Sequence, residues 1–417
     1  MTDSSIPKFH EKTREERLDA VELFSNLSKE DVKILKTEGG INFEQANNMV
    51  ENAIGTVSFP LGIATNFKVN GTDYLIPMVI EEPSVIAAAS KAAKIARKHG
   101  GFVMEADESY SIGQIQVVDI DVKSVISKII KASDEIISTA NSKSKTLSKM
   151  GKGAKEITCK EIATDLGSML VIEILIDVGD AMGANVTNTM CEAVAPLIEK
   201  ITGGRVILKI LSNYSTRRLV RGKAIFDKEE LGGEEIVNNI IWAYEFAAND
   251  PYRAVTHNKG IMNGIIAVAN STGQDTRAIE AAAHAYASRT GKYTSLTKWK
   301  KDSNGNLIGE IEMPMSVGTV GGIINIHPMI KTCVKILGIK SAKELACIIG
   351  AAGLAQNFSA IRALASEGIQ KGHMKLHARN IAISAGVPQE KMDEVIAKMT
   401  KEGNVSVTRA KEILENL

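Results

Sequence analysis

Between about residues 108 and 217 the chain changes texture, and this constrains the architecture more than any other feature. The runs IGQIQVVDIDV, MLVIEILIDV and GGRVILKILSNY read as strands, and they flank helical stretches near 123 to 149 and 186 to 200. On both sides the sequence is different. Downstream it is Ala-rich and helical, as in AIEAAAHAYASRTG and KELACIIGAAGLAQNFSAIRALASEG. A small α/β unit is therefore inserted into a larger, mostly helical body.

The flanks of the insert add detail. Leu18, Val21, Phe24 and Leu27 recur every three residues among charges, so residues 12 to 57 read as short helices. Tyr74 to Ile80 reads as a strand feeding a helix opened by Pro83 and ended at Gly100. Pro77 would remove a ladder hydrogen bond from that strand, which predicts an edge position or a bulge. Near the C-terminus, Met392, Val395, Ile396 and Met399 form the stripe of one amphipathic helix behind the turn AGVPQ, and this tail can move as a unit.

Composition narrows the function. The 417 residues are 44% apolar, enough for two or three cored domains. Basic and acidic residues nearly cancel, 50 against 49, so no global field draws in nucleic acid or an anionic membrane. Cys159, Cys191, Cys333 and Cys347 are scattered with no CxxC pair, which fits a reducing cytosolic home. The N-terminus lacks a signal-peptide core and no apolar run approaches a membrane span, so a soluble protein is expected. No repeat of solenoid length is present.

Several stretches could carry chemistry. DPYRAVTHNKGIMNG, residues 250 to 264, crowds Asp250, Arg253, His257, Asn258, Lys259 and Asn263 beside Gly260 and Gly264. It is either a solvated loop or a set of fixed polar groups. IDVGDAMGANVTNTM, 176 to 190, leads a β-run through a glycine turn into a helix, an arrangement that suits an anion or a plain turn. Neither it nor GKGAKE nor SVGTVGG completes GxGxxG, so a Rossmann domain is unsupported. Glu81 and Glu82 alternate at a strand end, leaving one acid inward and one solvated, or both on the surface. His373 and His377 share a helix face. That spacing is used for zinc, but HExxH and a third ligand are missing, leaving ordinary polar histidines or a proton-transfer role for one. From Lys123 to Lys155 there are eight lysines and two acids, a solvated face or a receiver for a phosphorylated coenzyme.

Taken in order and spacing, ENAIG, IEEPSVIAAAS, DAMGAN, DPYRAVTHNKGIMNG, TGQD and GHMKLHARN resemble the soluble, class II 3-hydroxy-3-methylglutaryl-CoA (HMG-CoA) reductases over nearly the whole chain. The resemblance implies an α+β fold. Its large domain would span 1–107 and 218–372, with a small non-Rossmann, ferredoxin-like cofactor domain at 108–217 and a helical flap at 373–417. It implies a four-electron reduction of HMG-CoA to mevalonate and CoA by two equivalents of NAD(P)H, with no metal.

The same resemblance assigns roles. Lys259 would stabilise the oxyanion formed as hydride arrives. Arg253 would pair with the substrate carboxylate, Asn263 would hold the lysine or substrate, and Ser84 would also bind substrate. Glu82 is the inward acid and donates a proton to the carbonyl oxygen, with desolvation pulling its pKa up and Lys259 and the helix dipole pulling it down. Asp275 would complete a coupled cluster with Glu82 and Lys259. His373, rather than His377, would protonate the departing thiolate from a closing flap. Asp180, Met182, Gly183 and Asn185 match the dinucleotide motif. Ser144 between Lys143 and Lys145 would welcome a 2′-phosphate, favouring NADPH over NADH. ENAIG matches a dimer-contact motif, so a homo-oligomer built from dimers is expected. Two other readings stand beside this one: the same enzyme run oxidatively in mevalonate breakdown, and a CoA- or nucleotide-binding module without turnover.

Overall fold

The structure, a computed structural model, describes residues 3–37, 40–366 and 378–417. Its larger part is built on a six-stranded sheet. The hairpin β1 (Leu61–Val69) and β2 (Thr72–Val79) meets β3 (Phe102–Ala106), and the rest comes from beyond the insert: β8 (Leu219–Phe226), β9 (Thr297–Lys301) and β10 (Leu307–Pro314), in the order β2-β1-β3-β8-β10-β9. Strand β2 lies at the edge, where Pro77 faces Ile63 without breaking an interior ladder, as its chemistry requires. Both faces of β2 are covered. Tyr74, Ile76 and Met78 point into the main core, while Leu75 joins Ile6, Val21, Leu27 and Ile336 under the N-terminal helices α1 (Arg14–Ser25) and α2 (Lys29–Lys36), which α3 (Phe43–Met49) follows in the chain. That double burial is why the strand reads as a continuous apolar run.

Helix α4 (Val85–Arg97) follows β2, but Pro83 does not open it: Ser84 intervenes at φ 71° in the left-handed region. The chain then leaves the main sheet at β3 and returns on its antiparallel neighbour β8. Between them lie β4 (Tyr110–Val118), α5 (Val122–Lys131), α6 (Ser133–Asn141), α7 (Lys145–Lys149), β5 (Gly153–Thr164), β6 (Gly167–Asp177), α8 (Ala184–Thr202) and β7 (Arg205–Ser212). The sheet order β5-β6-β4-β7, all antiparallel, with helices after the first and third strands, is the split βαβ arrangement of ferredoxin-like units. Strand β5 is not apparent in the sequence reading, because GAKEITCKEIAT exposes most of its polar side chains on a solvated strand. Ile115, Ile129, Ile172, Ile176 and Val194 pack into a core separate from that of the main sheet.

The main body is completed by α9 (Lys228–Leu231), α10 (Glu234–Asn249), α11 (Pro251–Ser271), α12 (Thr276–Ala287), α13 (Pro328–Leu337) and α14 (Ala342–Ala365). Helix α14 is long and apolar enough to cross a membrane, yet 83% of its apolar window is buried, which makes it the core helix of this body. It packs on α11, α4 and α10. Near the C-terminus, α15 (Met392–Glu402) and α16 (Val407–Glu415) pack Met392, Val395, Met399, Ala410 and Ile413 with Ala378, Ala382, Ala385 and Val387 into a small separate core. The 392–399 stripe is the buried face of one helix, as its spacing predicts.

Candidate active site

Residues 250–264 are not a loop. They form the first two thirds of α11, capped by the Asp250 carboxylate, which accepts from Arg253 N at 2.7 Å, with Pro251 in the first turn. Gly264 serves closeness rather than pliability. A Cβ on Gly264 would stand 2.6 Å from the Ala352 carbonyl oxygen and 2.8 Å from Gln356 Cβ, so α11 and α14 touch along bare backbone there.

One face of α11 is a buried polar seam. Asn258 donates to Thr294 O at 2.9 Å and Tyr293 Oη at 3.1 Å and accepts from Leu296 N at 3.0 Å. His257 Nε2 lies 2.8 Å from Thr297 Oγ1 and 3.1 Å from Asn357 Nδ2. These bonds fix the helix in rotation and height. The outer face then carries Lys259 and Asn263, one turn apart, and both converge on Glu82 from the β2–α4 junction. Lys259 Nζ is 2.9 Å and Asn263 Nδ2 3.1 Å from Glu82 Oε2.

Of the two acids at the strand end, Glu82 is therefore the one held by α11. Ser84 follows it in a conformation that costs a non-glycine residue about 1–3 kcal/mol, and such strain gathers at sites that need a side chain aimed. Arg253 sits six residues before Lys259, roughly 9 Å along the axis. Burial pushes its pKa down, and among the described residues no acceptor meets its guanidinium.

Asp275 caps α12, accepting from Ala278 N at 3.1 Å, and pairs with Arg277 at 3.2 Å. The structure thus gathers Glu82, Lys259 and Asn263, while Asp275 stands outside hydrogen-bonding distance of them. The N-cap geometry accounts for this, because the carboxylate must turn toward its own helix. Asn263 holds Glu82 rather than the lysine. His373 and His377 lie outside the described residues.

The 180–185 turn opens the 19-residue helix α8 at Gly183, whose φ of 112° only glycine adopts easily and whose Cβ would stand 3.0 Å from Val178. No side chain caps α8, so its first amides are available to an anion. Asp180 is otherwise engaged: its carboxylate accepts from Ala342 N at 2.8 Å and secures the turn to α14. Half-buried Met182 and exposed Asn185 are the motif side chains left to meet a ligand. Ser144 caps α7, accepting from Leu147 N at 3.4 Å between exposed Lys143 and Lys145. Lys152, just beyond α7, pairs with Asp177 at 3.2 Å and lays its chain over Gly179, which puts this lysine segment beside the turn.

Three polar residues that the sequence reading did not single out shape the site: Arg218, Gln274 and Asn357. Asn357 left a signal, an amide inside the apolar run of α14. Gln274 stood within TGQD, and Arg218 left none. Among the described residues no cluster of three His, Cys, Asp or Glu side chains is arranged to hold a metal.

A family model described as hydroxymethylglutaryl-coenzyme A reductase matches residues 13–378. The 3-hydroxy-3-methylglutaryl-coenzyme A reductase of Archaeoglobus fulgidus is 52% identical over 415 residues, 99% of this chain and 95% of that protein. A probable reductase of Borreliella burgdorferi is 40% identical over 80% of this chain and 77% of its own length. Among solved structures, the class II enzyme of Streptococcus pneumoniae bound to NADPH in open conformations superposes with a TM-score of 0.83 at 40% identity, covering 97% of this chain and 99% of that one.

Proposed function

The chain belongs to the hydroxymethylglutaryl-coenzyme A reductase family, and from that premise we propose that it reduces HMG-CoA to mevalonate and free CoA with two equivalents of NADPH. One observation carries the reading: Lys259 and Asn263 on a single face of α11 converge on one oxygen of Glu82, at 2.9 and 3.1 Å. A cation, an acid and an orienting amide around one point are what a carbonyl needs as its oxygen gains charge and then a proton.

Arg253 receives the substrate's free carboxylate as a charge-assisted pair, and Ser84 helps hold the acyl group beside it. Lys259 stands against the developing oxyanion. Glu82, steadied by Asn263, delivers a proton to the carbonyl oxygen, and Asp275 joins this set when substrate draws the cluster together. His373 protonates the CoA thiolate.

The 180–185 turn fits a dinucleotide: the positive-φ Gly183 opens a long uncapped helix, and Met182 and Asn185 line its approach. When bound there, the reduced nicotinamide supplies hydride. Ser144 and its flanking lysines receive the 2′-phosphate, which sets the preference for NADPH. Residues 108–217 then act as the cofactor unit, 1–107 with 218–372 as the substrate unit, and 373–417 as a flap. The chain works as a dimer-based oligomer. Val50, Ile54, Val57 and Phe59 around ENAIG are exposed, Ile54 by 99%, as are Trp242, Phe246, Tyr252 and Val255 on the helices that lead to Lys259. Four unpaired cysteines suit the cytoplasm.

The test is the loss of reduced-nicotinamide absorbance with HMG-CoA, comparing NADPH with NADH. Oxidation in a two-to-one ratio with CoA release is the expected result, faster with NADPH. No oxidation by folded protein with either cofactor would overturn the reading.

A further inference from the structure

We propose that residues 315–320 form a splint that sets the cofactor turn in register with Asp275, with Arg218 and Gln274 as its positioning residues; this rests on the roles given above to that turn and to Asp275. The segment includes most of SVGTVGG, a glycine-rich stretch that the catalytic assignment leaves without a task.

One edge of the splint grips the turn. Ala181 and Val320 form a parallel bridge, and Thr319 N donates to Asp180 O at 2.8 Å. Arg218 then locks the pair. Its guanidinium, on a residue only 4% exposed, donates to Met182 O at 3.0 Å, to Ala181 O at 3.2 and 3.3 Å, and to Val317 O at 2.5 Å. Among the described residues no carboxylate touches it. Burial pushes its pKa down to about 10, with Asp177 and Asp180 opposing that pull from nearby. A buried cation satisfied by carbonyls from two segments specifies their geometry, because any shift of one segment leaves a charged donor unpaired.

The other edge grips the TGQD turn. Gln274 accepts from Gly318 N at 2.8 Å and donates to Gly318 O at 3.0 Å, imitating a strand partner with one side chain. Asp275 is the next residue. Gly318 itself is pressed flat against the cofactor turn: a Cβ there would stand 2.5 Å from Met182 N. Between Met182 and Gln274 there is thus one backbone thickness, with bonds to both sides. At the root of the insert, Asp107 and Leu219 extend the β3–β8 ladder with backbone and side-chain bonds of 2.9 and 3.0 Å, which hold the main sheet alone. The splint is the contact that reaches the site.

The experiment uses the full chain, with NADPH binding followed by nicotinamide fluorescence and turnover measured on HMG-CoA. Gln274→Leu removes the grip on the TGQD side without touching the cofactor turn. The expected result is NADPH binding weakened on the order of tenfold, a KM for HMG-CoA within about twofold of wild type, and a melting temperature little changed. Arg218→Met should weaken NADPH binding as well, and the double variant should lose less than the product of the two single losses, since either change already frees the splint. Should Arg218→Met fail to fold, Gly318→Ala perturbs the same contact by pushing on Met182. Wild-type protein that does not bind NADPH removes the assignment of the turn and the splint with it. Wild-type binding with Gln274→Leu unchanged, or with both substrates weakened equally, overturns the splint alone.

Discussion

His257 makes the fold sensitive to acid in a way that can be worked from its contacts. Trp299 Nε1 donates to Asn357 Oδ1 at 2.9 Å, so the other end of that amide, 3.1 Å from His257 Nε2, is the donor. Nε2 thus meets the Asn357 amide and the Thr297 hydroxyl, while Nδ1 has no partner among the described residues, so a second ring proton has no acceptor waiting for it. Burial, with a smaller push from Arg253, lowers the pKa from 6.5 to about 3. Because the folded value lies below the unfolded one, the unfolded chain binds the extra proton throughout that window. Stability is unaffected above the unfolded pKa and falls as pH drops from about 6.5 toward about 3. At pH 5 the loss from this group is about 2 kcal/mol. His257→Gln keeps an acceptor for Asn357 and does not titrate. Urea unfolding at pH 7 and pH 5, followed through Trp299, which is 2% exposed, should show an acid loss smaller by about 2 kcal/mol in the variant. Equal losses in the two proteins would refute the argument.

Three further outcomes are expected. Lys259→Ala should lower turnover by at least about a hundredfold, as removal of an oxyanion partner does, with cofactor affinity unchanged; near-normal turnover would end the oxyanion role. Arg253→Ala should raise the KM for HMG-CoA on the order of tenfold or more while leaving NADPH binding alone, which initial-rate measurements with each substrate varied in turn will separate. Gly264→Ala should destabilise by about 1–3 kcal/mol in thermal or urea unfolding, because its Cβ would press on the Ala352 carbonyl.

How much of this was legible in the sequence depended on whether the signal was local. The edge position of β2 followed from Pro77, the α/β insert from the change in texture at 108, and the C-terminal helix from its 392–399 stripe, each a property of a few neighbouring residues; the ferredoxin-like order of the insert came only with the family resemblance. The polar stretch at 250–264 left a loop and a set of fixed polar groups equally open for a physical reason. Its Asp-Pro start is a helix cap as well as a turn signal, and Gly264 marks a helix pressed on α14, which only the partner helix reveals. Glu82 was identifiable as the inward acid only through the family motif; alternation alone left it level with Glu81. Arg218 and Gln274 act on backbone carbonyls and amides far away in sequence, and no residue pattern announces such bonds.

Helix α11 shows why the cation, the amide and the arginine can be held so firmly at a surface cleft. Lys259 and Asn263 project toward solvent, where long side chains are ordinarily mobile, and an exposed ion pair such as Lys259 with Glu82 contributes little to stability by itself. The precision comes from the opposite face, where His257 and Asn258 are bonded to β9, to its approach and to α14, and where Gly264 lets α14 come into backbone contact. Stability and placement thus reside in the buried half of the same helix that presents Lys259 and Asn263. Substitutions at Asn258 or Asn357 should consequently lower turnover without changing any residue that meets substrate. An Asn357→Leu protein that is clearly destabilised yet keeps full turnover would separate the two halves and refute that dependence.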